Sequence, residues 1–268
     1  MDQKSYIQRQ KNFRKKVRGI RTMIWFHLMK YYSGGLSASQ LELFFEPEKF
    51  QHLEPVDQKP RLWDRYEHGE ASPRPERVEI VALKYPETAI WFHHPIWNIF
   101  NFDSRSAIET DRIILGLAPE VSRHFLHLAE RSSFELRFVK RIFYKNSEIF
   151  ELLTKLSKKY PLDTLTVFIL FLNEAVDMSY SGYFFNLKIC SLTVLEQVFN
   201  LPQLQLLPPT VKEFFEAYVH AIPCKHVVFI DEVELIGKSL CHLGKRDDHF
   251  SYTRAYEMFL SLTNNDVV

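Results

Sequence analysis

Two short helical segments on either side of a glycine constrain the fold of this chain more than any other feature. The first covers residues 61–69, and the second begins at Pro75. Trp63 and Tyr66 are three residues apart, so they share one face of the first helix. Gly69 suits the left-handed backbone conformation that commonly follows a helix end. The pattern therefore predicts a helix, a tight turn and a second helix.

Part of this stretch is similar to a known family. An aromatic residue, a glutamate, a glycine and a proline stand at the spacing that closes a recognition helix, and they are Tyr66, Glu67, Gly69 and Pro73. The chain thus resembles the phage-repressor (Cro-like, XRE-type) helix-turn-helix family over residues 18–90. Residues 20–31 resemble the first helix of that family, and residues 36–41 resemble the start of its second helix.

The resemblance implies a DNA-binding regulatory protein and assigns roles to individual residues. The side chains that it places toward the DNA groove are Lys59, Arg61 and Arg65. The basic charge of the N-terminal arm, rather than the resemblance, gives the side chains expected on DNA phosphates, which are Arg14, Lys15, Lys16, Arg18 and Arg21. The expected scaffold residues are Trp63, Tyr66 and Leu83.

Residues 45–60 depart from the pattern of the family. They lengthen the connection between the second helix and the recognition helix, which is a tight turn in family members. If this insertion packs against the recognition helix, Arg61 and Arg65 become ion-pair partners for its acidic residues, which include Glu46, Glu48, Glu54 and Asp57. A second function therefore stays open, namely a protein-interaction adaptor that retains the fold without sequence-specific DNA binding.

Charge is unevenly distributed although the net charge is only +1. Residues 1–30 carry nine basic residues and one acidic residue, whereas residues 161–268 carry seven basic and thirteen acidic residues. A basic N-terminal arm can contact phosphates and contribute affinity without sequence information. The alternative interpretation is an ordinary solvated helix face.

Composition and apolar spacing predict an all-α fold. Eight glycines in 268 residues disfavour turn-rich β architectures. Helical spacing of apolar residues predicts helices over residues 5–32, 104–115, 119–129, 133–160, 161–180, 187–201 and 211–222. We expect a helix-turn-helix-like domain over residues 1–100 and a larger C-terminal helical domain over residues 101–268. Only residues 226–232 have strand character.

Location and chemistry follow from weaker signals. The most apolar run, residues 165–172, is too short to span a membrane, and three cysteines give no disulfide framework, so we expect a cytoplasmic protein.

Residues 226–232 end in Asp-Glu like a magnesium-binding strand, but no phosphate-binding loop precedes them. A zinc site would need an atypical order of ligands from Cys224, His226, Cys241 and His242. We therefore expect no enzyme, cofactor or metal. Duplex DNA is the expected partner, with a protein partner or self-association left open.

Overall fold

The computed structural model describes residues 3–50, 62–100, 107–129, 146–177 and 181–222. Every regular element within these ranges is a helix, which confirms the predicted all-α class. The predicted strand over residues 226–232 lies outside the described residues, as does the segment 133–145 of a predicted helix. None of the described helices has both the length and the apolar character needed to cross a bilayer.

The described helices are numbered along the chain. Those before residue 101 are α1 (Gln3–Tyr32), α2 (Ala38–Phe45), α3 (Leu62–Glu67), α4 (Pro75–Ala82), α5 (Pro86–Phe92) and α6 (Ile96–Ile99), with a 3-10 turn at Pro47–Phe50. Those after it are α7 (Ala107–Leu115), α8 (Pro119–Ala129), α9 (Asn146–Lys159), α10 (Pro161–Asp177), α11 (Ser181–Phe199) and α12 (Pro209–Ala221), with a 3-10 turn at Pro202–Leu204.

The chain forms two compact units. The first contains residues 1–105 and 199–214, and the second contains residues 106–198 and 215–268. Residues 199–214 of the first unit contact α1, where the Phe13 and Phe214 rings stack with their centroids 6.1 Å apart. The helix-turn-helix-like domain over residues 1–100 stays a prediction.

Local sequence signals account for the turn between α1 and α2. Gly34 and Gly35 adopt positive φ angles of 77° and 91°, which glycine tolerates better than other residues. Ser37 then caps α2, because its hydroxyl accepts a hydrogen bond from the Gln40 backbone N–H at 3.3 Å. The Gln40 side chain in turn accepts from the Ser37 N–H at 2.8 Å, which completes a capping box.

An aromatic cluster forms the core of the first unit. Trp63 is fully buried, and its ring stacks on Phe45 with an interplanar angle of 5° and a centroid distance of 5.6 Å. Trp25 of α1 contacts Trp63 at 6.2 Å and Tyr66 at 5.7 Å between centroids. The predicted burial of Trp63 and Tyr66 is therefore confirmed. Helix α3 is anchored to α1 and α2 through its aromatic face.

Two glycines let α1 approach the turn after α3. A Cβ atom built at Gly19 would lie 2.7 Å from the Gly69 carbonyl oxygen, and one built at Gly69 would lie 2.8 Å from the Gly19 carbonyl oxygen. Gly69 also has a φ of 69°, as the helix-end interpretation predicts. The absence of a side chain on either residue is thus what allows this backbone contact.

Leu83 does not belong to the scaffold, contrary to the prediction. Its side chain is 89% exposed, whereas Val78 and Val81 of α4 are buried. Each residue of a helix is rotated by about 100° from the previous one, so Leu83 lies roughly opposite Val81. The resemblance places Leu83 in the scaffold, but its position directly after α4 directs it to solvent.

The second unit buries the apolar run of α10. Thr164 to Leu172 are all buried, and the Phe171 ring contacts Phe125 of α8 at 5.6 Å between centroids. Helix α11 begins at Ser181, six residues before the predicted start at Leu187, because Ser and Gly are compatible with a helix N-terminus. Burial raises the pKa of the Cys190 thiol to about 12, so this cysteine is a core residue without nucleophilic character at neutral pH.

Candidate nucleic-acid interface

Helix α3 presents one basic side chain to solvent. Trp63 and Tyr66 face the core, and Arg65 is exposed on the other side of the helix. No described residue forms a hydrogen bond or ion pair with the Arg65 side chain. Lys59 and Arg61, the other two predicted groove-facing residues, lie outside the described residues. Of the three predicted groove-facing residues, Arg65 is the one that the structure describes, and it lies on an accessible helical surface.

A polar network fixes the orientation of α3. Arg77 of α4 donates from Nε to the Glu46 carboxylate at 2.6 Å and from a terminal nitrogen to the Tyr66 hydroxyl at 2.6 Å. The Trp63 indole N–H also donates to Glu46, at 3.4 Å. Burial raises the pKa of the Tyr66 phenol, which therefore stays neutral. The network ties the first residue after α2 to both α3 and α4.

Arg77 is absent from the predicted contacts of α3. The predicted partners of Glu46, if the insertion packs on α3, are Arg61 and Arg65; the structure pairs Glu46 with Arg77, and Arg61 lies outside the described residues. The Arg77 side chain is half-buried, and its guanidinium also lies 5.7 Å from the Tyr66 ring centroid. No spacing rule joins residues 31 positions apart, so this contact had no sequence signal.

An ion pair joins α1 to the last residue of α3. Lys30 Nζ lies 2.9 Å from the Glu67 carboxylate. His27, one turn earlier on α1, is buried, and desolvation lowers its pKa to about 4 although the Glu67 carboxylate favours its protonated form. The imidazole is consequently neutral at physiological pH, and Lys30 supplies the positive charge at this contact.

A cleft of about 460 Å³ lies along α1 in the first unit. Its lining residues are Lys11, Arg14, Val17, Arg18, Arg21 and Trp97. Three of the five residues predicted to contact phosphates therefore share one cavity. The other two, Lys15 and Lys16, are exposed but do not line it.

Lys11 is a lining residue that was absent from the predicted set. Its spacing from Arg14, Arg18 and Arg21 is three, seven and ten residues, which places all four on one side of a helix. The signal was therefore present in the sequence. It becomes informative once Trp97 is known to close the other side of the cleft.

Arg21 is a restrained cation of the cleft. Its guanidinium carbon lies 4.3 Å above the centroid of the Phe92 ring, and its buried Nε atom has no hydrogen-bond partner among the described residues. Burial, with a smaller contribution from the neighbouring charge of Arg18, lowers the pKa of Arg21. The opposite wall is also fixed, since the Trp97 indole N–H donates to the Trp91 carbonyl at 2.8 Å.

Comparison of the chain with protein-family models, curated proteins and solved structures found no match. Among the described residues, no group of three or more His, Cys, Asp or Glu side chains could hold a metal ion. Cys224, His226, Cys241 and His242, the residues considered for zinc, lie outside the described ranges. The geometry of the first unit is therefore the basis on which a function can be argued.

Proposed function

We propose that this chain is a DNA-binding regulatory protein of helix-turn-helix type. The observation that carries the proposal is the placement of α3, whose aromatic face is buried on α1 and α2 while Arg65 faces solvent. Recognition helices are held in this way, with an apolar face on the scaffold and polar side chains toward the bases. The network of Glu46, Tyr66 and Arg77 supports the same role by fixing the orientation of the helix.

The basic N-terminal helix supplies the second part of the proposal. Arg14, Lys15, Lys16 and Arg18 are exposed on α1, and Arg21 is partly exposed. Cations at these positions would neutralise DNA phosphates, which gives affinity without base preference. Arg65, together with Lys59 and Arg61, would then provide the contacts to bases.

Exposed apolar side chains favour a second candidate function. They lie on α2, α4 and α5 of the first unit or directly after α4, and are Leu43, Phe44, Ile80, Leu83 and Ile90. Lys84 covers part of this set, since its Nζ atom lies 3.8 Å from the Phe44 ring centroid. Apolar surface of this kind is common where one protein binds another. It favours the adaptor, in which α3 is a structural helix and the partner is a protein.

Substitution of Arg65 separates the two candidate functions. Preferred duplexes are first selected from a randomised pool with the full chain. Arg65→Ala should weaken binding to a preferred duplex by about 1–3 kcal/mol and relax the choice at one or two base pairs, because a base-contacting arginine gives that discrimination. Fluorescence anisotropy with preferred and scrambled duplexes measures both effects.

Arg123→Ala serves as the matched control, because it removes one exposed arginine from α8 of the second unit. It should change neither affinity nor base preference. If Arg65→Ala leaves both unchanged as well, α3 does not read bases. Unchanged binding and base preference in Arg65→Ala is the result that the adaptor predicts, because α3 is then a structural helix.

A further inference from the structure

The cations of the α1 cleft form a continuous row. Lys11, Arg14, Arg18 and Arg21 extend over ten residues of one helix, which is roughly 15 Å at a rise of about 1.5 Å per residue. Trp97 and Val17 provide apolar walls beside the row. A single small anion would use only part of this length.

The chemistry of Arg21 indicates what the row can bind. Stacking on Phe92 restrains its guanidinium, and the Nε donor is buried without a partner among the described residues. The neighbouring charge that acts on it is Arg18, a second cation. A ligand with several negative charges would relieve this repulsion and would supply an acceptor. Guanidinium groups match the oxygens of phosphates in a bidentate geometry.

We propose that the cleft is a binding site for a short run of linked phosphate groups, with Arg21 as the fixed cation at its most buried end. One strand of nucleic acid places a phosphate about every 3.4 Å along its axis, so the row could accommodate about four of them. This inference rests on the proposed function in so far as a DNA strand is the source of the phosphates. Free polyphosphate offers the same chemistry from another source.

The test uses tripolyphosphate as the probe and the full chain at constant ionic strength. Isothermal titration calorimetry compares wild type with Lys11→Ala/Arg18→Ala, which removes two exposed cations from the cleft. The double variant should bind tripolyphosphate at least about tenfold more weakly, because two charge-assisted hydrogen bonds can no longer form. Thermal melting verifies that both proteins are folded, and Arg21 is left intact because its side chain packs on Phe92.

Lys15→Ala/Lys16→Ala is the comparison within the same helix. It removes the same charge from α1 but leaves every residue that lines the cleft. Its tripolyphosphate affinity should stay within about threefold of wild type, whatever its effect on DNA. An equal weakening in the two double variants would overturn the inference, because it would show a diffuse basic surface. Binding of a hexaglutamate peptide as tight as that of tripolyphosphate would overturn it as well.

A parallel titration with duplex DNA distinguishes this site from the proposed function. If the cleft binds tripolyphosphate while wild type binds no duplex DNA, the inference holds with free polyphosphate as ligand and the proposed function is wrong. If wild type binds duplex DNA but not tripolyphosphate, the inference is overturned and the proposed function stands. If both bind and Lys11→Ala/Arg18→Ala weakens both, the cleft holds the phosphates of the DNA strand.

Discussion

Replacing Trp63 with alanine is expected to lower the free energy of unfolding by about 3–5 kcal/mol. The indole is fully buried, stacks on Phe45 and packs against Trp25 and Tyr66. Truncation removes this packing and leaves a cavity that rigid aromatic neighbours cannot close. It also deprives Glu46 of one hydrogen bond, from the indole N–H. Chemical denaturation followed by circular dichroism measures the change.

Leu83→Ala is the control for this experiment. Leu83 is as apolar as a core residue but 89% exposed, so its truncation should change stability by no more than about 0.5 kcal/mol. A Trp63→Ala protein with stability close to wild type would show that the aromatic cluster does not hold α3 in place. The case for α3 as an oriented recognition helix would then fail.

Gly69→Ala should destabilise the first unit by about 2–4 kcal/mol. A left-handed backbone conformation costs an alanine about 1–2 kcal/mol, and the added Cβ atom would lie 2.8 Å from the Gly19 carbonyl oxygen. Gly19→Ala should also destabilise the first unit, although replacing a glycine in the middle of a helix with alanine normally stabilises the helix. Its Cβ atom would meet the Gly69 carbonyl oxygen at 2.7 Å. Thermal and chemical denaturation measure both variants.

Gly34→Ala distinguishes the cost of the left-handed backbone conformation from the cost of the steric overlap at Gly69. Gly34 has a φ of 77°, close to that of Gly69, but a Cβ atom there has no neighbour within 4 Å among the described residues. It should therefore show only the cost of the left-handed conformation. If Gly69→Ala costs no more than Gly34→Ala and Gly19→Ala is stabilising, α1 does not pack against the turn as closely as the structure indicates.

Features that depend on neighbouring residues could be predicted from the sequence. The spacing of Trp63 and Tyr66 indicates a shared buried face, and the glycines after α1 and α3 indicate helix ends. Ser37 and Gln40 stand at the spacing of a capping box. Each of these signals lies within one or two turns of chain. Each can therefore be recognised from local spacing without knowledge of distant contacts.

Features that depend on distant contacts could not be predicted. Gly19 is an unfavourable residue inside a helix until Gly69 is placed against it. Arg77 resembles any other surface cation until Glu46 and Tyr66 surround it. The basic row of α1 has a periodic signal, but only Trp97, which is more than 70 residues away, turns part of it into a cleft. The division into phosphate and base contacts stays a prediction.

Titration of fluorescently labelled duplex DNA in a salt series tests the central claim of DNA binding most directly. The logarithm of the association constant should fall linearly with the logarithm of salt concentration, with a slope of about −0.9 for each phosphate bound. Lys15→Ala/Lys16→Ala/Arg18→Ala should flatten that slope by about 0.9 for each phosphate that the variant no longer neutralises, and should weaken binding similarly for all sequences. Absence of duplex binding at low salt, or an unchanged slope in the triple variant, would contradict the proposed role of the N-terminal helix.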